Sequence, residues 1–500
     1  MVRGQQMQTR PALALLVALA FAIAQAFMVY FRPIDGDEGL YLTVFDEVVQ
    51  GRTLYADFFY PQFPGLPFVY YAWLKWVSGP SPAGLRCLSL VFNVATLGLV
   101  LAWGRVKQAT TRESVALVVL VGGSGLTLGW ASTLKTYPFC IFASVAGVVA
   151  LSAWRADDRR PSWLPFAAGL ALGAAGGTRL FYLALLPIAL AWVAFEARAR
   201  AGRLSLGAPL FLIVGALIPL VPAAWVAGSH FRSFYFETVT FHGYRNETSE
   251  MIGNWKQKLD VVIALAKHVS LVAPLALIVW KLRGRALLSP ERRDELLALS
   301  FAATLSILQF LPTPVATQYY VNIVPFLAFG ALAGLRDLLA RDDDRTRRRL
   351  SVALAGYLAF APYEAWYLEI KPMAGGWCPY TIAEWNELSR TIESLTQPSD
   401  RVLAWWPGIV TAAHRRVAPG FENNFPYMAS KRLPVDVRRA FSIVDDEQTI
   451  AMIERREPAL VVLRRQFFLP SRDVYEPIVA RDYRLVAERG DFLLYARRAP

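Results

Sequence analysis

The chain has 500 residues and a formal net charge of +13, and it is 55% hydrophobic but only 18% charged. A soluble globular protein carries about 25% charged residues, so this balance, with a mean hydropathy of +0.35, excludes an ordinary soluble domain and points to a polytopic membrane protein. The positive excess does not indicate a nucleic-acid binder, because the arginines sit in short loops between apolar runs and no nucleic-acid motif accompanies them.

Residues Met1 to Arg10 carry Arg3 and Arg10 and precede an apolar run from about Pro11 to Tyr30. A cleaved signal peptide ending near Ala24-Gln25-Ala26 is the rival reading. The length of the run and the spans that follow favour an anchor helix. Next comes Pro33-Ile34-Asp35-Gly36-Asp37-Glu38-Gly39-Leu40-Tyr41, which places three carboxylates within four residues at a membrane edge. Such a cluster must be solvated, paired or put to chemical use, because burying bare charge is costly. It opens a polar-aromatic loop, 31–83, that also holds Asp57 and the proline-rich run Tyr60 to Pro67. The piece Phe68 to Val77 is too short to span and reads as an amphipathic helix lying at the interface.

Apolar segments then follow at 84–104, 114–134, 137–154, 162–178, 180–197, 205–227, 261–280, 295–311, 319–339 and 351–368. With the first helix the expectation is about eleven spans. Basic clusters (Arg105/Lys107/Arg112, Arg155/Arg159/Arg160, Arg198/Arg200/Arg203, Lys281 to Arg293, Arg341 to Arg349) fall at every second joint. These loops are therefore expected to be cytoplasmic, with the N-terminus inside and the acidic loop outside. A second outer loop, about Gly228 to Asp260, contains Arg232 and His242-Gly243-Tyr244-Arg245. It also holds the sequon Asn246-Glu247-Thr248, a weak motif. Beyond Ile370 the composition turns polar. Helical periodicity over 381–395 and 447–455, strands over 401–405 and 459–463, and a hairpin over 483–496 predict a small extracytoplasmic α/β domain, 370–500, after a membrane domain, 1–369.

This order of features resembles the GT-C superfamily of polyprenyl-phosphate-sugar-dependent glycosyltransferases. It is similar in particular to bacterial relatives of the protein O-mannosyltransferases and the aminoarabinose lipid A transferases. The residues that carry the likeness are the outward Asp37-Glu38, the run Gly51-Arg52-Thr53-Leu54-Tyr55-Ala56-Asp57, Gly84-Leu85-Arg86, Gly173 to Arg179, and Gln318-Tyr319-Tyr320 through Pro325. Departures are Gln62-Phe63-Pro64-Gly65-Leu66-Pro67 where the family has Pro-Pro, and Arg179 where it has lysine, a change that alters hydrogen-bond geometry.

The resemblance implies inverting transfer of a monosaccharide from a polyprenyl-phosphate donor to an acceptor hydroxyl on the outer face of a bacterial plasma membrane. The acceptor class, protein, lipid or polysaccharide, stays open, as does the sugar. Asp37 is the expected general base and Glu38 orients the acceptor or positions Asp37, with Asp35 and Asp57 as secondary acids. The alternative for this stretch is a turn with a helix N-cap. Arg86, Lys135, Arg179, Arg232 and Arg245 are candidates for the donor phosphate, against plain snorkelling at helix ends. Tyr41, His242, Tyr319 and Tyr320 are candidate sugar or lipid contacts, the last two against membership of an aromatic belt. A divalent cation at the acids is one further option. Cys87, Cys140 and Cys378 form no disulfide framework or metal spacing, and the four histidines are scattered. Two other classes compete: a transporter or flippase of lipid-linked sugars, and a membrane-anchored assembly protein.

Overall fold

The computed structural model describes residues 11–156, 163–202, 205–244, 255–282, 289–312, 314–341, 343–374, 378–423, 425–465 and 472–498. Among the described residues ten α-helices lie between Pro11 and Ser229: α1 (Pro11–Phe31), α2 (Gly36–Val49), α3 (Gly65–Trp73), α4 (Pro82–Val106), α5 (Thr111–Gly122), α6 (Gly125–Trp130), α7 (Thr136–Ala156), α8 (Trp163–Thr178), α9 (Leu185–Ala201) and α10 (Gly207–Ser229).

Among the described residues five helices are long and apolar enough to cross a membrane: Ala12–Phe31, Pro82–Val106, Thr136–Ala156, Leu180–Arg200 and Gly207–Ser229. Two bent pairs, Trp255–Leu265 with Val269–Lys281 and Thr317–Gly330 with Leu332–Leu339, would raise the number to seven. The expected spans 162–178, 295–311 and 351–368 are helical but too short or too charged to qualify alone. The expected span 114–134 is broken at Gly123-Ser124 into α5 and the six-residue α6. Its apolar run is internal, with Leu117, Val118 and Val121 all buried.

Helices α8 and α10 pack backbone to backbone. A Cβ at Gly169 or Gly173 would collide with the α10 backbone, which is the close approach small residues permit in membrane helices. The expected interfacial helix is α3 continued by a π-helical turn, Leu74–Ser78. Leu66, Tyr70 and Leu74 face the core, and Trp76 and Val77 are exposed.

The C-terminal part holds a five-stranded sheet in the order β2-β1-β3-β5-β4, made of β1 (Arg401–Ala404), β2 (Arg416–Val417), β3 (Leu460–Arg464), β4 (Tyr483–Arg489) and β5 (Phe492–Arg497). β1 pairs in parallel with β2 and β3, and β5 runs antiparallel between β3 and β4. β1, β3 and the hairpin fall where the short apolar runs beside turn residues placed them. The two-residue β2 and the helix Arg472–Asp482 had no clear signal.

This sheet layer rests on α2. The Trp406 indole N–H donates to the Gly36 carbonyl (2.7 Å), the Thr43 and Thr411 hydroxyls meet at 2.8 Å, and Arg52 bridges Glu47 (2.8 Å) and Glu422 (2.9 Å). Gly39 and Gly408 touch, so that a Cβ on Gly408 would lie 2.5 Å from the Gly39 Cα. One apolar core, including Leu42, Phe45, Trp385, Trp406 and Val410, runs through the first loop and the sheet layer.

Candidate active site

The acidic stretch forms the first turn of α2. Asp35 has extended backbone and stands at the N-cap, its carboxylate accepting the Asp37 N–H at 3.0 Å, while Glu38 accepts the Asp35 N–H at 2.8 Å. This reciprocal cap satisfies two amides that the helix leaves open, and the acids meet the positive end of its dipole. The N-cap alternative is therefore realised. The three carboxylates nevertheless point to different partners.

Glu38 is sealed. Both its oxygens accept from Arg86, from Nε and Nη2 at 2.6 Å each, and Oε2 also accepts the Leu134 N–H at 3.2 Å. Arg86 gives its remaining N–H groups to the carbonyls of Val29 (3.0 Å), Arg32 (2.9 Å) and Pro33 (3.2 Å). A guanidinium has five N–H donors, and all are used at a fully buried position. The expectation that Arg86 holds a phosphate is corrected on this ground. Burial works against the Glu38 charge, but Arg86 outweighs it and holds the carboxyl below its usual range. Of the two roles expected for Glu38, orienting the acceptor or positioning Asp37, the second is the one its geometry permits.

Asp37 is different, with a side chain 33% exposed. The Lys135 ammonium bridges Asp35 (2.9 Å) and Asp37 (3.0 Å) from just before α7. Burial opposes the Lys135 charge, but Asp35 and Asp37 outweigh it and hold the ammonium protonated well above the ordinary lysine range. The ammonium also lies 4.9 Å from the Trp130 ring centroid and 5.8 Å from that of Tyr137.

Arg179 follows the last residue of α8 and reaches the same place. Its guanidinium stacks 5.1 Å from the rings of both Tyr137 and Tyr319 and donates to the Thr136 hydroxyl at 3.3 Å. Tyr137 lies within electrostatic range of Lys135, Arg179 and Asp37 together. The fold thus assembles Asp37, Lys135, Arg179, Tyr137 and Tyr319 from positions up to 282 residues apart. Tyr41 borders this group, its hydroxyl 2.9 Å from the Gln62 side-chain oxygen.

Other candidates lie elsewhere. Asp57 is exposed and closes a turn by accepting the Thr53 N–H at 2.7 Å, so it is not part of the acidic group. Tyr320 is buried in the core of the membrane helices, away from Arg179. His242 sets Nε2 3.0 Å from the Pro61 carbonyl oxygen, and Arg232 stacks 5.5 Å from the Phe441 ring. Arg245 and the sequon lie outside the described residues. Among the described residues no group of three or more histidine, cysteine or acidic side chains could hold a metal ion. The acids do not fit the suggested divalent cation, because Lys135 and Arg86 already occupy the positions it would take.

Sequence reasoning missed Arg32, Trp130, Tyr137 and Gln62. Arg32 donates to the Gly129 carbonyl (2.6 Å) and lies 4.6 Å from the Trp130 centroid. Its place beside the acidic cluster, directly after an apolar run, was the available signal.

No protein-family model matches the chain, and no curated protein matches it by sequence. Solved structures do match. ArnT from Cupriavidus metallidurans bound to undecaprenyl phosphate superimposes with a TM-score of 0.68 at 15% identity, covering 98% of this chain and 99% of that one. An Archaeoglobus fulgidus oligosaccharyltransferase gives 0.55 at 13%, covering 98% and 74%. The mycobacterial arabinofuranosyltransferase AftD gives 0.53 at 11%, covering 98% and 40%. The three neighbours are GT-C superfamily membrane glycosyltransferases, and the architecture of this chain is theirs.

Proposed function

We propose that the protein is a glycosyltransferase that moves a monosaccharide from a polyprenyl-phosphate donor to an acceptor hydroxyl at the outer face of the membrane, with inversion. The observation that carries this reading is the pairing of one solvent-open carboxylate, Asp37, with two cations, Lys135 and Arg179, in one aromatic-lined group. The fold adds support, as does the undecaprenyl phosphate bound to the ArnT neighbour and the dolichol phosphate bound to the archaeal oligosaccharyltransferase.

Asp37 accepts the proton of the acceptor hydroxyl as its oxygen attacks the anomeric carbon. The bond from that carbon to the phosphate oxygen breaks, and the electron pair leaves with the polyprenyl phosphate. Lys135 and Arg179 offset the charge that develops there. Asp35 holds Lys135 in place, and Glu38 with Arg86 holds the turn. Tyr137 and Tyr319 flank the sugar.

The test is transfer by purified protein in nanodiscs, using a panel of polyprenyl-phosphate sugars with total membrane and periplasmic extract as acceptor. Transfer that Asp37→Asn abolishes while donor binding persists supports the assignment. Reporter fusions at Gly243 and at the C-terminus should read outside and one at Arg345 inside; a cytoplasmic C-terminus would remove the common face.

A bent, broken span of the kind between Trp255 and Lys281 favours a transporter of lipid-linked sugars. The polar residues at that break are fully enclosed, however, with His268, Glu364 and Glu369 each at most 1% exposed. Movement of lipid-linked sugar across liposomes without transfer would reverse the choice.

A further inference from the structure

The helix pair Trp255–Leu265 and Val269–Leu282 turns by 78°, and His268 stands at the turn with its backbone capping the second helix. The His268 carbonyl accepts the N–H groups of Leu271 and Val272 at 3.0 Å each. Its ring is fully buried between two acids of the last apolar helix, Nε2 3.0 Å from Glu369 Oε1 and Nδ1 3.9 Å from Glu364 Oε2. Both acids sit on a π-helical turn, Glu364–Ile370, packed on α6, where a Cβ at Gly125 would collide with Glu364 and one at Gly129 would press on Glu369. Two acids buried in an apolar helix are costly and call for an explanation. The proposed chemistry does not use them directly.

Their connections give the explanation. Glu369 Oε2 accepts the Trp130 indole N–H at 2.7 Å, which fixes the plane of that ring. The same ring lies 4.6 Å from Arg32 and 4.9 Å from Lys135. Glu364 Oε1 accepts the Ser270 N–H at 3.1 Å and ties the acid pair to the broken helix. Around this knot the buried acids Asp35, Glu38, Glu364 and Glu369 face Arg32, Arg86, Lys135 and His268. The one further carboxylate is Asp37, the solvent-open one. We infer that His268, Glu369 and Trp130 are positioning residues that hold the Lys135 ammonium against Asp37, so that the broken helix and the last apolar helix set the geometry of the acidic turn. The inference rests on the reading of Asp37 and Lys135 given above.

Neither His268 nor Glu369 touches the solvent-open group, and Lys135 is assigned to the charge that develops on the leaving phosphate, so their loss should act on turnover far more than on donor affinity. A misplacement of the cation by an ångström costs about 10- to 100-fold in rate. In the nanodisc assay Glu369→Leu should lower kcat by about 10-fold or more with KM for the donor within about 2-fold. Glu369→Gln, which keeps an oxygen for the indole N–H, should restore most of that loss, and Trp130→Phe should resemble Glu369→Leu. Equal activity of the Leu and Gln variants, or a change confined to KM, overturns the inference.

A second readout needs no activity. Protein labelled with 5-fluorotryptophan gives a 19F resonance for Trp130, assigned by its loss in Trp130→Phe. That resonance should move in both His268→Gln and Lys135→Met. A resonance that moves in neither overturns the chain even if transfer is observed, whereas wild-type protein without transfer but with both shifts removes the functional reading alone.

Discussion

Glu237 offers a quantitative test of how the segment 231–244 is attached. It lies on a π-helical turn, Phe236–Thr240, with its side chain buried against the loop that follows α2. Its carboxyl accepts the Tyr60 N–H at 2.6 Å, and among the described residues no cation accompanies it, so burial pushes it from 4.5 up to about 8. Around this contact Phe241 packs on Phe59 and Phe234 on Tyr55, while His242 reaches the Pro61 carbonyl. The protonated form is thus favoured in the folded state and the ionised form is favoured in the open one. Stability is complete below about pH 4.5, falls as pH rises, and levels off above about pH 8. At about 1.4 kcal/mol per factor of ten, the full loss approaches 5 kcal/mol, and water entry and local relaxation reduce it to about 2–4 kcal/mol.

Glu237→Gln keeps the oxygen that accepts from Tyr60 and cannot ionise. Hydrogen exchange of peptides covering 54–63 and 231–244 should be compared between wild type and variant at each pH, so that intrinsic exchange rates cancel. Protection should be equal near pH 4, and the variant should exceed wild type by about 10-fold or more at pH 8.5. A ratio that stays constant over this range would refute the argument that an unpaired buried carboxyl governs the contact.

Arg86→Ala leaves Glu38 charged and buried and should destabilise the protein by about 3–5 kcal/mol in thermal unfolding; a loss below about 1 kcal/mol would show the pair is dispensable. Arg179→Ala should weaken binding of undecaprenyl phosphate by about 10-fold or more, and unchanged affinity would remove Arg179 from the phosphate role. Asp57→Asn, on an exposed turn away from Asp37, should leave transfer within about 2-fold, a surface substitution of small effect. Gly408→Ala forces a Cβ onto Gly39 and should cost about 1–3 kcal/mol, read as easier proteolysis of the C-terminal region; unchanged resistance would mean that the sheet layer is not held there.

The close contact between the sheet layer and α2 also bears on the assembly-protein alternative. Trp406 and Thr411 touch the helix that carries Asp37, so removing residues 377–500 would unroof that helix. A truncation therefore tests the support of Asp37 as much as any separate role of the sheet layer.

What was legible in the sequence is what short-range physics decides. An Asp three residues before a Glu at the start of an amphipathic segment caps a helix wherever it stands, so α2 and the presence of the acidic turn followed directly. Long apolar runs gave the candidate membrane helices, and short apolar runs bounded by turn residues gave β1, β3 and the hairpin. Hydropathy did not separate a run facing lipid from one facing protein: 114–134 is buried and broken into α5 and α6. Partner choice was not legible at all. Arg86, Lys135 and Arg179 look alike in sequence, each a cation near the end of an apolar segment. Packing gives the first to Glu38, the second to two aspartates and the third to two tyrosine rings. Likewise Glu364 and Glu369 were hidden in the last apolar helix until the fold set His268 between them. The local sequence determined that charges would sit at this edge of the membrane. Only the tertiary structure decided which of them would be neutralised, because pairing depends on distances between helices that no segment encodes alone.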